Sequence, residues 1–140
     1  MVSCTRDIRF DAGHRLKDHE GKCSRIHGHG YLVEITATAE KLDDVGRIID
    51  FGIIKDKIGS WIDANWDHGT IISSEDGDVI KAISSIPDSK LFILPCNPSA
   101  ENIAKYLLEE ICPTLLREFG VTVTKVVVHE TPNCRAEASL

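Results

Sequence analysis

The chain has 140 residues, 42% of them hydrophobic and 27% charged, which is the size and balance of one globular domain with a single core. A formal charge of −6 and a pI near 5.4 argue against a nucleic-acid-binding domain, which displays a basic face. No apolar run reaches the roughly 18 residues of a membrane span. The first ten residues carry two arginines and an aspartate where a signal peptide has an apolar stretch, so a cytoplasmic location is expected. The five cysteines are scattered, odd in number and without a Cys-x-x-Cys pair, which reads as reduced thiols rather than a disulfide framework.

Residues 4–10 set Cys4, Arg6, Ile8 and Phe10 against Thr5, Asp7 and Arg9, the two-residue period of a half-buried strand. Asp11-Ala12-Gly13 ends it and delivers His14. Residues 15–26 have no period and read as a long loop; loops of that length in compact domains are more often functional than idle. Tyr31 to Glu40 alternates as the longest strand, and Asp43-Asp44-Val45-Gly46 turns into a short returning strand at Arg47-Ile48-Ile49. Asp50 is placed to cap a helix carrying Phe51, Ile54, Ile58, Trp61 and Ile62 to about Ala64.

Residues 71–89 hold a short helix around Val79, Ile80 and Ile83, and Lys90 to Leu94 reads as a short buried strand. Ser99 caps a long helix through Ile111 that Pro113 must kink or break, since proline lacks the amide and clashes with the preceding turn. Val121 to Glu130 alternates again, with Val121, Val123 and Val127 opposite Val126, Val128 and Glu130. Thr131-Pro132-Asn133 turns the chain into a last strand, Cys134 to Ser139. This order implies an α+β fold, an antiparallel sheet with helices packed on one face, in one domain spanning residues 1–140.

The chemistry concentrates in Lys22-Cys23-Ser24-Arg25-Ile26-His27-Gly28-His29. Imidazole is the commonest neutral zinc ligand, and three protein ligands with a vacant fourth position mark a catalytic site. His27 and His29 on one strand share a face, and His14 on the preceding strand can reach the same ion. Cys23 has two readings. As a fourth ligand it would close a structural zinc site; left free beside a dication, its lowered pKa would suit a base or nucleophile. Asp67-His68 is weak evidence alone, because a neighbouring aspartate does not easily orient the adjoining imidazole. Glu101 in a first helical turn is stabilised by the helix dipole whatever else it does. Glu130 ends an apolar strand face, where a carboxylate needs a partner such as a ligand.

Phe10-Asp11-Ala12-Gly13-His14, Cys23-x-x-x-His27-Gly28-His29, Ile49-Asp50-Phe51, Asp67-His68, Asn97-Pro98-Ser99-Ala100-Glu101-Asn102 and Glu130-Thr131 recur in this order over nearly the whole chain. On these motifs it resembles the 6-pyruvoyl-tetrahydropterin synthase and 6-carboxy-tetrahydropterin synthase family. Three residues between the cysteine and His-Gly-His resemble the 6-carboxy branch, which serves queuosine biosynthesis. The resemblance implies the tunnelling fold (T-fold), with trimeric barrels that pair into hexamers and active sites between subunits. It implies dihydroneopterin triphosphate as substrate, and 6-carboxytetrahydropterin, acetaldehyde and triphosphate as products.

By the same resemblance, Zn2+ sits on His14, His27 and His29, Cys23 is the general base, and Asp67 with His68 is a second acid/base group. Glu130 grips the pterin and Glu101 supports it. Phosphate-binding residues stay unassigned, although Arg15, Lys17, Lys22 and Arg25 lie near in sequence. Two departures touch the pocket wall: Gly69-Thr70-Ile71-Ile72 after His68, where many relatives have an apolar residue and then Leu-Asn, and His129 where an aromatic is frequent. The alternatives are the biopterin-branch 6-pyruvoyl synthase, which eliminates triphosphate without cleaving a carbon–carbon bond, and a non-catalytic zinc-binding module.

Overall fold

Alternating apolar residues build a six-stranded sheet in the order β4-β3-β1-β2-β5-β6, in a computed structural model that describes Met1–Leu140. The strands are β1 (Ser3–His14), β2 (His27–Thr38), β3 (Gly69–Ser73), β4 (Leu91–Leu94), β5 (Thr122–Thr131) and β6 (Cys134–Ser139). Three helical segments complete the fold: α1 over residues 51–65, α2 (Gly77–Ser84) and α3 over residues 100–116. Ile8, Phe10 and Ala12 of β1, Tyr31, Val33, Ile35 and Ala37 of β2, and Val126 and Val128 of β5 face the helices and are buried. From the helices come Ile54, Ile58, Ile62, Ile103, Leu107 and Leu116, all buried in the same core. The opposite sheet face carries Thr5, Asp7, Arg9 and Asp11, all exposed. No helix is long and apolar enough to cross a membrane.

Both expected helix caps are present. Asp50 accepts from the Gly52 amide at 2.7 Å and the Ser99 hydroxyl from the Asn102 amide at 3.2 Å, each satisfying an amide the helix leaves unpaired. Pro113 does not end α3. A π-turn at Leu107–Ile111 widens the backbone just ahead of it, and the helix runs on to Leu116. Helix α1 contains a similar π-turn at Lys55–Gly59.

Four further expectations are corrected. The sheet is mixed, because β3 runs parallel to both β1 and β4. Strand β3 itself was not expected: Ile71, Ile72 and Ser73 are all buried, and a run this short with no polar alternation gives no strand signal. Arg47-Ile48-Ile49 forms no strand. The Asp43 carboxylate accepts from the Val45 and Arg47 amides at 3.0 and 2.9 Å, and the Arg47 side chain bonds Asp43 and Asp50, so the segment stays folded on itself. A bulge between Thr36 and Ala37 shifts the β2–β5 register, so Val123 joins Val126 and Val128 in the core rather than facing away.

The sheet-to-helix seam rests on fully buried side chains such as Ile35 at the centre of β2. Ile35→Ala removes core contacts that surrounding strands cannot close over. It is expected to lower unfolding free energy by about 2–5 kcal/mol in chemical denaturation; a loss under about 1 kcal/mol would contradict this packing.

Candidate metal centre

The antiparallel register of β1 and β2 sets His14 opposite His27 and Ala12 opposite His29. The three imidazoles therefore leave the same sheet face at the same end. Their ring centroids lie 4.7 Å (His14–His27), 5.0 Å (His14–His29) and 4.9 Å (His27–His29) apart, at steep interplanar angles of 63°, 79° and 89°. One potential ligand atom from each lies within 4.8 Å of the others. Gly28 permits the strands to close here, since a Cβ on it would meet the Ala12 carbonyl oxygen at 3.2 Å.

Backbone carbonyls orient two of the rings. His14 Nδ1 lies 2.7 Å from the Pro98 carbonyl oxygen, and His27 Nδ1 lies 2.6 Å from that of Arg25. A carbonyl can only accept, so each Nδ1 carries a proton, and in the neutral ring Nε2 then keeps its lone pair. With both rings neutral those two Nε2 atoms face each other at 3.2 Å with no proton to share, and His29 Nε2 is buried without any partner. Buried acceptors left this way are costly unless an electron-pair acceptor joins them, and a divalent cation is such a group. Burial, more than any other cause, pushes the His14 pKa down to about 4 and lowers that of His29, against the opposing pull of Glu130 on the latter. Neutral imidazole is the form a metal requires.

Glu130, near the end of β5, spans the other side. Its Oε1 lies 3.9 Å from His14 Nε2 and its Oε2 3.9 Å from His29 Nε2. Tyr31 stacks on Phe10 at 4.8 Å and brings its hydroxyl within 3.2 Å of His14 Nδ1, fixing the ring from the core side.

Cys23 lies in the 3-10 turn Lys22–Ser24, half-buried, and is not among the ligand atoms of the cluster. Asp67 and His68 follow α1 directly. Asp67 Oδ1 accepts from the Asp11 amide at 2.9 Å, while the His68 amide donates to the Asp11 carbonyl at 2.7 Å. His68 takes a left-handed backbone (φ 58°), and its Nδ1 lies 2.8 Å from Asp67 Oδ2. The adjacent aspartate thus does orient this imidazole, because the turn bends the ring back. The Asp11 amide above all, then His68 and Lys90, holds the Asp67 carboxyl below its ordinary range. His68 and His29 line one open cavity of about 370 Å³ together with Asp11, Gly13, Gly28 and Gly69. A separate cavity of about 930 Å³ around Met1, Thr38 and Leu42 contains none of these groups.

Glu101 is exposed on the first turn of α3 and has no contact that joins it to the cluster. Arg15 is committed to Asp76 through two bonds of 2.5 Å, and Lys17 lies 3.2 Å from Asp18, whereas Lys22 and Arg25 are exposed. The groups that the sequence did not reveal are mostly backbone atoms: the Pro98 and Arg25 carbonyls and both peptide groups of Asp11. Only the Asn97-Pro98 dipeptide carried a hint of them.

An α+β domain that converges three imidazoles and a facing carboxylate defines a class: proteins with a buried histidine centre suited to a divalent metal. The chain belongs to the 6-pyruvoyl tetrahydropterin synthase family, whose model matches residues 3–139. Among its relatives, the 6-carboxy-5,6,7,8-tetrahydropterin synthase of Rickettsia conorii is 44% identical over 137 residues, covering 98% of this chain and 99% of that one. A protein of Halobacterium salinarum described as a probable 6-carboxy-5,6,7,8-tetrahydropterin synthase is 34% identical, covering 91% and 79%. The fold matches an uncharacterized protein from Wolinella succinogenes with a TM-score of 0.84 at 22% identity, covering 99% of this chain and 97% of that one. It also matches the Caenorhabditis elegans 6-pyruvoyl tetrahydropterin synthase with a TM-score of 0.70 at 22% identity, covering 99% and 95%.

Two measurements test the centre. His27→Ala and His29→Ala are each expected to abolish stoichiometric metal retention after dialysis, read by elemental analysis; full retention would contradict the cluster. The second concerns pH in the metal-free protein. A depressed imidazole pKa stabilises the fold above the unfolded value of about 6.5. Denaturation midpoints should therefore fall as pH drops from about 6.5 toward 4, where His14 must charge; a flat profile would contradict its burial as a neutral group.

Proposed function

We propose that this chain is a zinc-dependent 6-carboxy-5,6,7,8-tetrahydropterin synthase of queuosine biosynthesis, a lyase of one domain over residues 1–140. It would convert 7,8-dihydroneopterin triphosphate and water to 6-carboxytetrahydropterin, acetaldehyde and triphosphate. The observation that carries this reading is the meeting of three inward-facing imidazole nitrogens with the Glu130 carboxylate 3.9 Å from two of them. The name shared by relatives 44% identical over 98% of the chain supports the carboxy branch.

His14, His27 and His29 would hold the metal. When bound, zinc supplies Lewis acidity toward the hydroxyls of the substrate side chain. Glu130 accepts hydrogen bonds from the amino and ring N–H groups of the pterin, and a carboxylate suits such a donor edge. Glu101 supports that recognition from the N-terminal turn of α3. Cys23 as thiolate removes a carbon-bound proton, and His68, oriented by Asp67, relays protons on the facing side. Positioned proton transfer of this kind contributes roughly 10²–10⁴ in rate. Cys23 lies outside the ligand set, which supports the open site over a closed zinc-binding module. The 6-pyruvoyl reaction shares metal and substrate and is the second reading, favoured by the description of the family model.

The sheet supports an oligomeric barrel of the T-fold kind. Strand β3 covers β1 only at Ala12–His14, which leaves the Ser3–Asp11 edge without a partner strand, and β6 is free along its outer edge. Unpaired strand edges invite a strand from another chain. Joining β1 of one copy to β6 of the next would close a trimer with the polar sheet face inward, and two trimers would make a hexamer. The remaining partner is the small pterin triphosphate, with no nucleic acid and no membrane. Five unpaired cysteines support a cytoplasmic, reducing location.

Incubating the metal-loaded protein with dihydroneopterin triphosphate is expected to release acetaldehyde and triphosphate together. Triphosphate without acetaldehyde would favour the pyruvoyl reaction, and no turnover would contradict both. Cys23→Ala is expected to keep its metal and lose turnover by at least about 10²-fold; loss of the metal instead would make Cys23 a ligand. Light scattering should give the mass of three or six chains, and a monomer would contradict the barrel.

A further inference from the structure

The mechanism leaves one motif unused. Asn97 touches no titratable group of the site, yet its side-chain amide makes two hydrogen bonds to one backbone residue in the loop that bears Cys23. Its Oδ1 accepts from the Lys17 amide at 3.0 Å and its Nδ2 donates to the Lys17 carbonyl at 3.0 Å. One bond would leave that peptide free to pivot; two opposed bonds fix its direction as a strand partner would.

From Lys17 the connection continues. The neighbouring Leu16 amide donates to the Cys23 carbonyl at 2.9 Å, closing the loop on the residue that carries the thiol. On the other side, Asn97 is itself held, because the Asn102 side chain in α3 donates to its carbonyl at 2.9 Å. The next residue, Pro98, has a ring-restricted φ, and its carbonyl takes the His14 Nδ1 proton at 2.7 Å. Asn97 and Pro98 are therefore a two-residue bracket. One arm sets a histidine of the metal centre and the other sets the cysteine loop, so the spacing between them follows from a single stiff peptide.

We propose that Asn97 is a positioning residue that holds the 15–26 loop, and Cys23 with it, in register with the histidine cluster. This rests on Cys23 being the base. Asparagine suits the position because it presents one acceptor and one donor on a short stem. Aspartate would keep the bond from the Lys17 amide and lose the one to its carbonyl, and alanine would lose both.

The test uses the full-length, metal-loaded protein. Asn97→Ala is expected to bind metal as the unaltered chain does, and to lose about 10²-fold in kcat with KM within about twofold, the effect of misplacing a reacting group by about an ångström. Trypsin should cut at Lys17, Lys22 or Arg25 at least about tenfold faster, as expected for a loop released from its tether. Asn97→Asp should fall between the two on both readouts. Should Asn97→Ala fold poorly, Asn97→Asp and Asn102→Ala carry the same comparison. Because Asn97 acts through Cys23, the double variant Asn97→Ala/Cys23→Ala should turn over no more slowly than Cys23→Ala alone. An unchanged cleavage rate, or losses that multiply in the double variant, would overturn the proposal. If Cys23→Ala alone retains full turnover, Cys23 as base is what fails, and the cleavage rates alone then decide whether the bracket exists.

Discussion

Two hydrogen bonds from ring nitrogens to main-chain carbonyls govern this molecule. With the Pro98 and Arg25 carbonyls accepting from Nδ1–H of His14 and His27, the two neutral imidazoles present bare Nε2 atoms to the same small space, and the partnerless Nε2 of His29 lies beside them. Such an arrangement is unfavourable by itself, since three acceptors converge where water has little access. The fold holds it in place. Tyr31 and Phe10 stack behind His14, the β1–β2 register fixes the pairing of strands, and the cap of α3 delivers the Pro98 carbonyl. The fold thus holds the three histidines in an arrangement suited to a cation.

The same constraint explains why distant elements converge at one end of the sheet. Asp11 serves β1 and also receives the Asp67-His68 turn through both its amide and its carbonyl. Strand β5 brings Glu130 to the opposite wall, in phase with Val126 and Val128. The buried Asp76 carboxylate, its pKa lowered chiefly by the Arg15 guanidinium, ties the residue after His14 to the start of α2. Of the other basic residues close to the cluster in sequence, Lys22 and Arg25 are exposed and form no side-chain ion pair.

The sequence disclosed the histidine cluster because strand periodicity is a short-range rule: His27 and His29 two apart share a face, and one hairpin brings His14 opposite. The major strands and both helix caps were legible for the same reason. Strand β3 was not, because burial on both faces erases alternation. Pro113 does not break its helix, and the π-turn just ahead of it is invisible to spacing. The orientation of His68 by its own neighbour depended on a left-handed backbone at a non-glycine residue, which no pattern announces. The carbonyls that orient His14 and His27 are backbone atoms, which every residue has, so sequence cannot single them out. Glu101 shows the reverse: its motif is distinct, but within one chain it stands apart from the histidines.

X-ray absorption spectroscopy of the zinc-loaded protein probes the central claim most directly, because it counts nitrogen, oxygen and sulfur neighbours of the ion without turnover. Three imidazoles and an exchangeable light atom predict a first shell of nitrogen and oxygen at about 2.0–2.1 Å with no sulfur. A zinc–sulfur distance of about 2.3 Å would place the Cys23 thiolate on the metal and contradict the open centre described above.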